Sequence, residues 1–338
     1  MNKKVNTALV GYGYWGVNLL RNLTSIKQSE VLLVCDSREE RLKVINETYP
    51  AITTTTSFED VINNDQIEAV VIATPTFSHY ELAKKALQAG KHVLVEKPLT
   101  ATTEQAEELI QLATSKRLQL MVDHTFLYSG AVEYMKDLVE SGEIGTLKYF
   151  DSTRINLGLL QPDVNVLWDL APHDISILSF LQKEQPSSVN ATGVSHTGNG
   201  IENIAYMTLN YESGFIAHFN CSWTSPVKLR TTLIGGDKKM VVYDDINPTE
   251  KVKIYDTGYE CKTLEDRTKI YIDYRVGDIS VPKLKTHEPL RKMLEDFLSC
   301  VKSGNTPVSS WEVGLRAVKI LEAAQQSIKQ NGKLILIK

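Results

Sequence analysis

Three short clusters in the chain carry side chains able to move a proton or steady a charge. They are Thr74-Pro75-Thr76-Phe77-Ser78-His79, Glu96-Lys97-Pro98 and Trp168-Asp169-Leu170-Ala171-Pro172-His173-Asp174. Oxidising a secondary alcohol by hydride transfer needs a group that takes the hydroxyl proton, and histidine, with an unperturbed pKa of about 6.5, suits that task at neutral pH. Asp169 and His173 stand four apart, which makes them neighbours on a helix. The carboxylate then orients the imidazole and favours its charged form, while Lys97 offers a positive charge beside a developing alkoxide. With Asp169 as the helix N-cap, Pro172 falls in the tolerated first turn and His173 follows it. A lone histidine in that place reads as a capping or core residue; the company of Lys97 is what turns the reading toward catalysis.

A fourth stretch points to the co-reactant. Gly11-Tyr12-Gly13-Tyr14-Trp15-Gly16 follows the apolar run Val5 to Val10 and opens a helix through Asn18, Leu19, Leu20 and Leu23. A glycine-rich turn between strand and helix lets backbone N–H groups approach a pyrophosphate, with the positive helix end aimed at its charge. The second strand, Val31 to Cys35, ends in Asp36, twenty residues past Gly16, where a carboxylate accepts from a ribose 2′-hydroxyl. Its charge repels a 2′-phosphate and so favours NAD over NADP. Arg38 and Arg41 pull the other way, since each can clasp such a phosphate, or can simply solvate a helix start.

These positions need elements to hold them. Ala69-Val70-Val71-Ile72-Ala73 is a fully apolar run of the kind buried on both faces of a parallel sheet. Helices over 38–47, 76–89 and from Thr102 alternate with strands at 51–53, 92–95 and 118–122, and the pairs Ser57/Asp60 and Thr102/Gln105 read as helix starts. This alternation predicts a doubly wound parallel sheet over residues 1–122. After a helix at 131–140 the pattern changes to period-two strands. Phe215, Ala217, Phe219, Cys221 and Trp223 share one side of an extended segment. Residues 123–338 are therefore a second α/β domain with a large, mostly antiparallel open sheet, closed by helices over 289–303 and from a Ser309/Glu312 capping box to 330. The outer face of that sheet keeps enough Tyr, Ile and Thr to meet another subunit, so a homo-oligomer, a dimer or tetramer, is expected.

At 338 residues, 42% hydrophobic and 23% charged, the chain is long enough for two cores. A net charge of -4 leaves no basic surplus for nucleic acid or anionic lipid. No apolar run reaches the length of a membrane span, and the start Met1-Asn2-Lys3-Lys4 leads straight into a strand. Cys35, Cys221, Cys261 and Cys300 are widely spaced, as expected for free thiols in the cytoplasm, and form no zinc pattern with the histidines, so no metal is expected.

At Gly11 to Gly16, Glu96-Lys97-Pro98 and Asp169-x-x-x-His173 the chain resembles the Gfo/Idh/MocA oxidoreductase family over nearly its whole length. The resemblance implies a Rossmann domain followed by an α/β domain, and it makes Lys97, Asp169 and His173 catalytic. The candidate cofactor set is Gly11, Gly13, Tyr14, Trp15, Gly16, Asp36, Ser37, Arg38, Thr74, Pro75, His79, Glu96 and Lys97, although His79 can also be read as the start of a helix. Lys97-Pro98 is a plausible cis bond. Candidate substrate contacts are Lys97, Asp169, His173, Asn156 and Arg154, the last able to grip phosphate bidentately or to be a surface residue. The segment Gln161 to Asp174 looks like family members of nucleotide-sugar and polysaccharide pathways that act at C3 of UDP-N-acetylhexosamines or their uronates. Dehydrogenases of free sugars or inositols, an NAD-dependent glycosidase and a dinucleotide-sensing regulator are the alternatives within the same family.

Overall fold

Short apolar runs separated by amphipathic helices build the first half of the computed structural model, in which residues 4–158, 164–256, 258–260, 273–275 and 277–337 are described. Cys261, and Gln161 to Asp163 of the nucleotide-sugar-like segment, lie outside them. The chain divides into two compact units, Met1–Tyr128 with His287–Glu322, and Ser129–Thr286 with Ala323–Lys338.

In the first unit the strands are β1 (Val5–Val10), β2 (Ser29–Cys35), β3 (Thr53–Thr55), β4 (Ala69–Ile72), β5 (His92–Glu96) and β6 (Leu120–Asp123). They pair in parallel in the order β3-β2-β1-β4-β5-β6. This is the dinucleotide-binding order, in which ligands bind outside the carboxyl ends of the strands. Every residue of β4 is buried, because helices cover both faces of a central parallel strand. The helices are α1 (Tyr14–Ser25), α2 (Glu39–Thr48), α3 (Phe58–Ile62), α4 (Thr76–Gln88) and α5 (Thr103–Lys116). Thr102 caps α5 by accepting from Gln105 N at 3.3 Å, as its spacing predicts. Ser57 makes no such bond at α3; Asp60 instead takes the hydroxyl of Thr55 at 2.5 Å.

The second unit opens with α6 (Gly130–Glu140), β7 (Leu147–Leu157) and α7 (Val166–Leu181). Strands β8 (Ser188–Val194), β9 (Ile204–Asn210), β10 (Ile216–Ser222), β11 (Thr224–Gly236), β12 (Met240–Asp244) and β13 (Val252–Tyr255) follow. Next, β14 (Gly258–Glu260) and β15 (Asp273–Arg275) form a separate two-stranded ribbon, and β16 (Ile279–Ser280) joins the edge of the main sheet. The chain then makes α8 (Pro289–Ser303) and α9 (Trp311–Lys329), and ends in β17 (Ile335–Leu336). Residues 287–322, which chain order assigned to the second domain, pack with the first unit. There Ser309 Oγ donates to Val122 O at 2.5 Å and Tyr128 donates to Asp296 at 2.7 Å, contacts between segments far apart in sequence that no local pattern announces.

The nine-stranded sheet runs β16-β13-β12-β11-β7-β10-β9-β8-β17, antiparallel except for the β7–β10 pair. Phe150, Ala217, Phe219 and Cys221 are buried on its inner face, as the period-two pattern predicts. Burying side chains as large as phenylalanine stabilises by about 1.5–3 kcal/mol each. Helix α7 is part of that core. Twelve of its sixteen residues are buried, and Asp169 and His173 are among the four that are not.

Candidate active site

The glycine turn is held by contacts that leave room only where a ligand belongs. Gly11 has φ +96°, and a Cβ there would stand 2.6 Å from Ala73 O, so only glycine fits. A Cβ on Gly16 would fall 2.2 Å from Gly11 O, because α1 packs tightly back on the turn. At Gly13 the nearest heavy atom to such a Cβ is Arg38 Nη2, 4.0 Å away, which leaves a concavity in front of the helix. Gly13 is the N-cap of α1 and no side chain caps the first turn, so its N–H groups are donors for an anion. The turn therefore fits the diphosphate of a dinucleotide.

Asp36 ends β2 beside this turn and is buried. Its Oδ2 accepts from Tyr12 N at 2.7 Å, and its Oδ1 from Arg38 N at 2.9 Å. The Arg38 guanidinium adds two further bonds, at 3.0 and 3.1 Å. Burial pulls the carboxyl toward its neutral form, but the hydrogen bonds from Arg38 and Tyr12 N prevail and hold its pKa below the ordinary value. Arg38 thus partly neutralises the charge read as a barrier to a 2′-phosphate. Ser37, Pro75 and the rings of Tyr14 (90% exposed) and Trp15 are accessible, with those rings 5.9 Å apart.

His79 was placed with the cofactor residues, but it is buried in α4. One ring nitrogen stands 2.8 Å from Thr74 O and the other 2.8 Å from Pro98 O. It ties the loop after β4 to the loop after β5, and so positions its neighbours instead of facing a ligand. Thr74 also accepts from Ser78 Oγ at 2.7 Å. The Lys97–Pro98 bond is cis.

Glu96 is likewise buried. Its Oε2 accepts from Lys97 N at 3.2 Å. Lys97 is half-buried at the strand end. Asp123 occupies the matching register position on β6, also buried, and hydrogen-bonds both Thr125 N (3.0 Å) and Thr125 Oγ1. Next to it, His124 is fully enclosed; burial first, and the Lys97 charge second, push its pKa down to about 3, so it is neutral. The sequence reading missed Asp123 and His124. The available signal was an adjacent aspartate and histidine closing the apolar run of β6.

In the second unit, α7 carries Asp169 and His173 one turn apart and half-buried, on the same side. The N-cap is not Asp169 but Asn165, whose side chain accepts from Leu167 N and Trp168 N at 3.1 and 3.2 Å. Pro172 is consequently inside the helix, where it leaves Trp168 C=O without its usual N–H partner. Asp169 Oδ2 accepts from Trp223 Nε1 at 3.0 Å. Trp223 leans on Gly158, where a Cβ would stand 2.6 Å from the indole and 3.3 Å from Asn156 Nδ2. Asn156 therefore shares this corner. Trp223 had been read only as one more buried residue of the alternation, and nothing in the sequence marks its N–H.

Arg154 is not a substrate arginine. It is buried on β7, and its guanidinium holds Asp174 through bonds of 2.8 and 2.6 Å. This fork-to-fork pair fastens α7 to the sheet next to His173, and removing one member of such a buried pair typically costs about 3–5 kcal/mol.

Two family models match this chain. One, described as an oxidoreductase family with an NAD-binding Rossmann fold, covers residues 5–124, and the other, the GFO/IDH/MocA C-terminal domain, covers residues 132–242. The chain belongs to the Gfo/Idh/MocA oxidoreductase family. It is an NAD-binding oxidoreductase of that family. Its relatives include the UDP-N-acetylglucosamine 3-dehydrogenase of Acidithiobacillus ferrooxidans, 32% identical over 197 residues that span 57% of this chain and 60% of that enzyme. The structure of that enzyme, GnnA, superposes with a TM-score of 0.81 at 23% identity, covering 97% of this chain and 98% of that one. The oxidoreductase YrbE of Bacillus subtilis is 23% identical over 97% of this chain and 95% of its own length. GenD2 from gentamicin A biosynthesis, solved in complex with NAD, has a TM-score of 0.84 at 21% identity, covering 100% and 97%. The Gfo/Idh/MocA match to the first domain spans the glycine turn, Asp36, the Glu96-Lys97-Pro98 strand end and His124. The match to the second spans Asn156, Asp169, His173 and Trp223.

Proposed function

We propose that this protein oxidises a hydroxyl of a nucleotide-linked sugar, or reduces the corresponding ketone, with NAD, and that C3 of a UDP-N-acetylhexosamine is the reacting carbon. The observation that carries the reading is the presence of Lys97, Asp169 and His173, a set of residue types able to move a proton, in a chain whose glycine turn fits a diphosphate. A purely dinucleotide-sensing protein has no use for that set. The likeness to a UDP-N-acetylglucosamine 3-dehydrogenase supports the substrate class. Bound NAD supplies the hydride acceptor.

The rest of the chemistry belongs to the chain. His173 takes the hydroxyl proton as the C–H bond breaks, and Asp169 orients the imidazole and favours the imidazolium that forms. Trp223 holds the Asp169 carboxylate by its indole N–H. Lys97 steadies the negative charge on the reacting oxygen. In the reverse direction His173 returns the proton to the alkoxide. The experiment is to follow NADH formation with UDP-N-acetylglucosamine and related UDP-sugars against free hexoses and inositols. Turnover confined to the free polyols would replace the nucleotide-sugar reading by the free-sugar one. The outer face of the nine-stranded sheet, where Tyr206, Ile216 and Leu229 are 40–46% exposed, supports a homo-oligomer.

Cofactor choice follows from Asp36. NAD should bind more tightly than NADP, by a margin that narrows in Asp36→Ala because the removed charge is what disfavours a 2′-phosphate. The Arg38 fork makes the margin smaller than a lone carboxylate would impose. Calorimetric titration with both cofactors measures it, and equal affinities in the unaltered protein would contradict the assignment.

A further inference from the structure

Beneath Lys97 lies a pair of acids that cannot both be charged. Glu96 and Asp123 sit opposite each other at the carboxyl ends of adjacent strands β5 and β6, and each is 5–6% exposed. Glu96 Oε2 is engaged by Lys97 N, and Asp123 Oδ1 by Thr125 N and its hydroxyl. Glu96 Oε1 is buried and, as an ionised oxygen, has nothing to bond. A proton on it turns it into a donor, and the acid that acts on it is Asp123, its register partner at the end of β6.

Burying two carboxylates side by side without a proton would set like charges together in a medium that screens them poorly. We propose that Glu96 and Asp123 share one proton, carried on Glu96 Oε1, and act as positioning residues that present a single negative charge to Lys97. The two backbone segments that the acids grip, at Lys97 and at Thr125, are thereby joined by one hydrogen bond. The pair also supplies the counter-charge that an ammonium needs in a half-buried place. Burial, then the neighbouring acid, raises the Glu96 pKa well above its ordinary value, and the direction agrees with this arrangement. The other titratable groups acting on the pair are Lys97, whose charge opposes that rise, and His124, which is neutral and adds no charge of its own.

This inference rests on Lys97 taking part in the chemistry, and its test separates the two. Infrared difference spectroscopy of the whole protein at neutral pH is expected to show the carbonyl stretch of a protonated, buried carboxyl, lost in Glu96→Gln. Asp123→Asn serves as a second assignment if the first variant does not fold. In the Glu96→Gln/Asp123→Asn double variant no negative charge remains, and the alkaline limb of kcat/KM is expected to move to lower pH by about 1–3 units, the usual effect of losing a close opposite charge. Absence of the protonated-carboxyl band in the wild type overturns the proposal, as does a folded double variant with an unmoved alkaline limb. A Lys97→Met protein with normal turnover would instead sink the role of Lys97 while leaving the infrared result to stand for the shared proton.

Discussion

Replacing His173 by alanine is expected to lower kcat by about 10² to 10⁴, the range for a lost general acid or base, while NAD affinity stays nearly unchanged. The expectation follows from where α7 holds the side chain. Asp169 stands one turn before it, its carboxylate fixed by the Trp223 indole, and Asp174, the next residue, is locked to Arg154. A helix fastened on both sides of the histidine keeps its backbone in place when the imidazole is removed. The loss should therefore be chemical. Because the proton is transferred only as the hydride leaves, kcat and kcat/KM should fall together with KM little altered. Turnover within a factor of a few of the wild type would make His173 a packing residue.

Lys97→Met keeps the aliphatic stem and removes the charge. A fall in kcat of roughly 10² or more is expected, as for loss of one preorganised donor to a developing oxyanion. The fold should survive, because the segment is held by other groups: Glu96 grips Lys97 N, and His79 grips Pro98 O. NAD titration and circular dichroism check this beside steady-state kinetics. Near-normal turnover excludes an electrostatic role, and an unfolded variant assigns Lys97 to structure.

The parallel sheet was legible because its central strands are local signals: a run such as Val70-Val71-Ile72 has one comfortable environment, and the glycines at 11, 13 and 16 each have a distinct steric reason; the edge strand β3, Thr53–Thr55, has no such run and lies two residues beyond the 51–53 expected for it. The start of α7 was misread because the sequence holds both Asn165 and Asp169 ahead of apolar residues, and only burial of Val166 and Leu167 decides that the helix begins a turn earlier. Arg154 carries the same chemistry whether it faces a phosphate or Asp174; its position on the inner face of β7, the parity of Phe150 and Ser152, decides it. Long-range matches leave the weakest trace. Glu96 and Asp123 meet only because β5 and β6 are neighbours in register, and Trp223 meets Asp169 across more than fifty residues.

The most direct measurement is a single turnover. Protein in excess over NAD, mixed rapidly with UDP-N-acetylglucosamine, is expected to give a rise in NADH absorbance that the wild type completes and His173→Ala does not. No NADH from that or any other sugar, in a folded protein shown to bind NAD, would contradict the account.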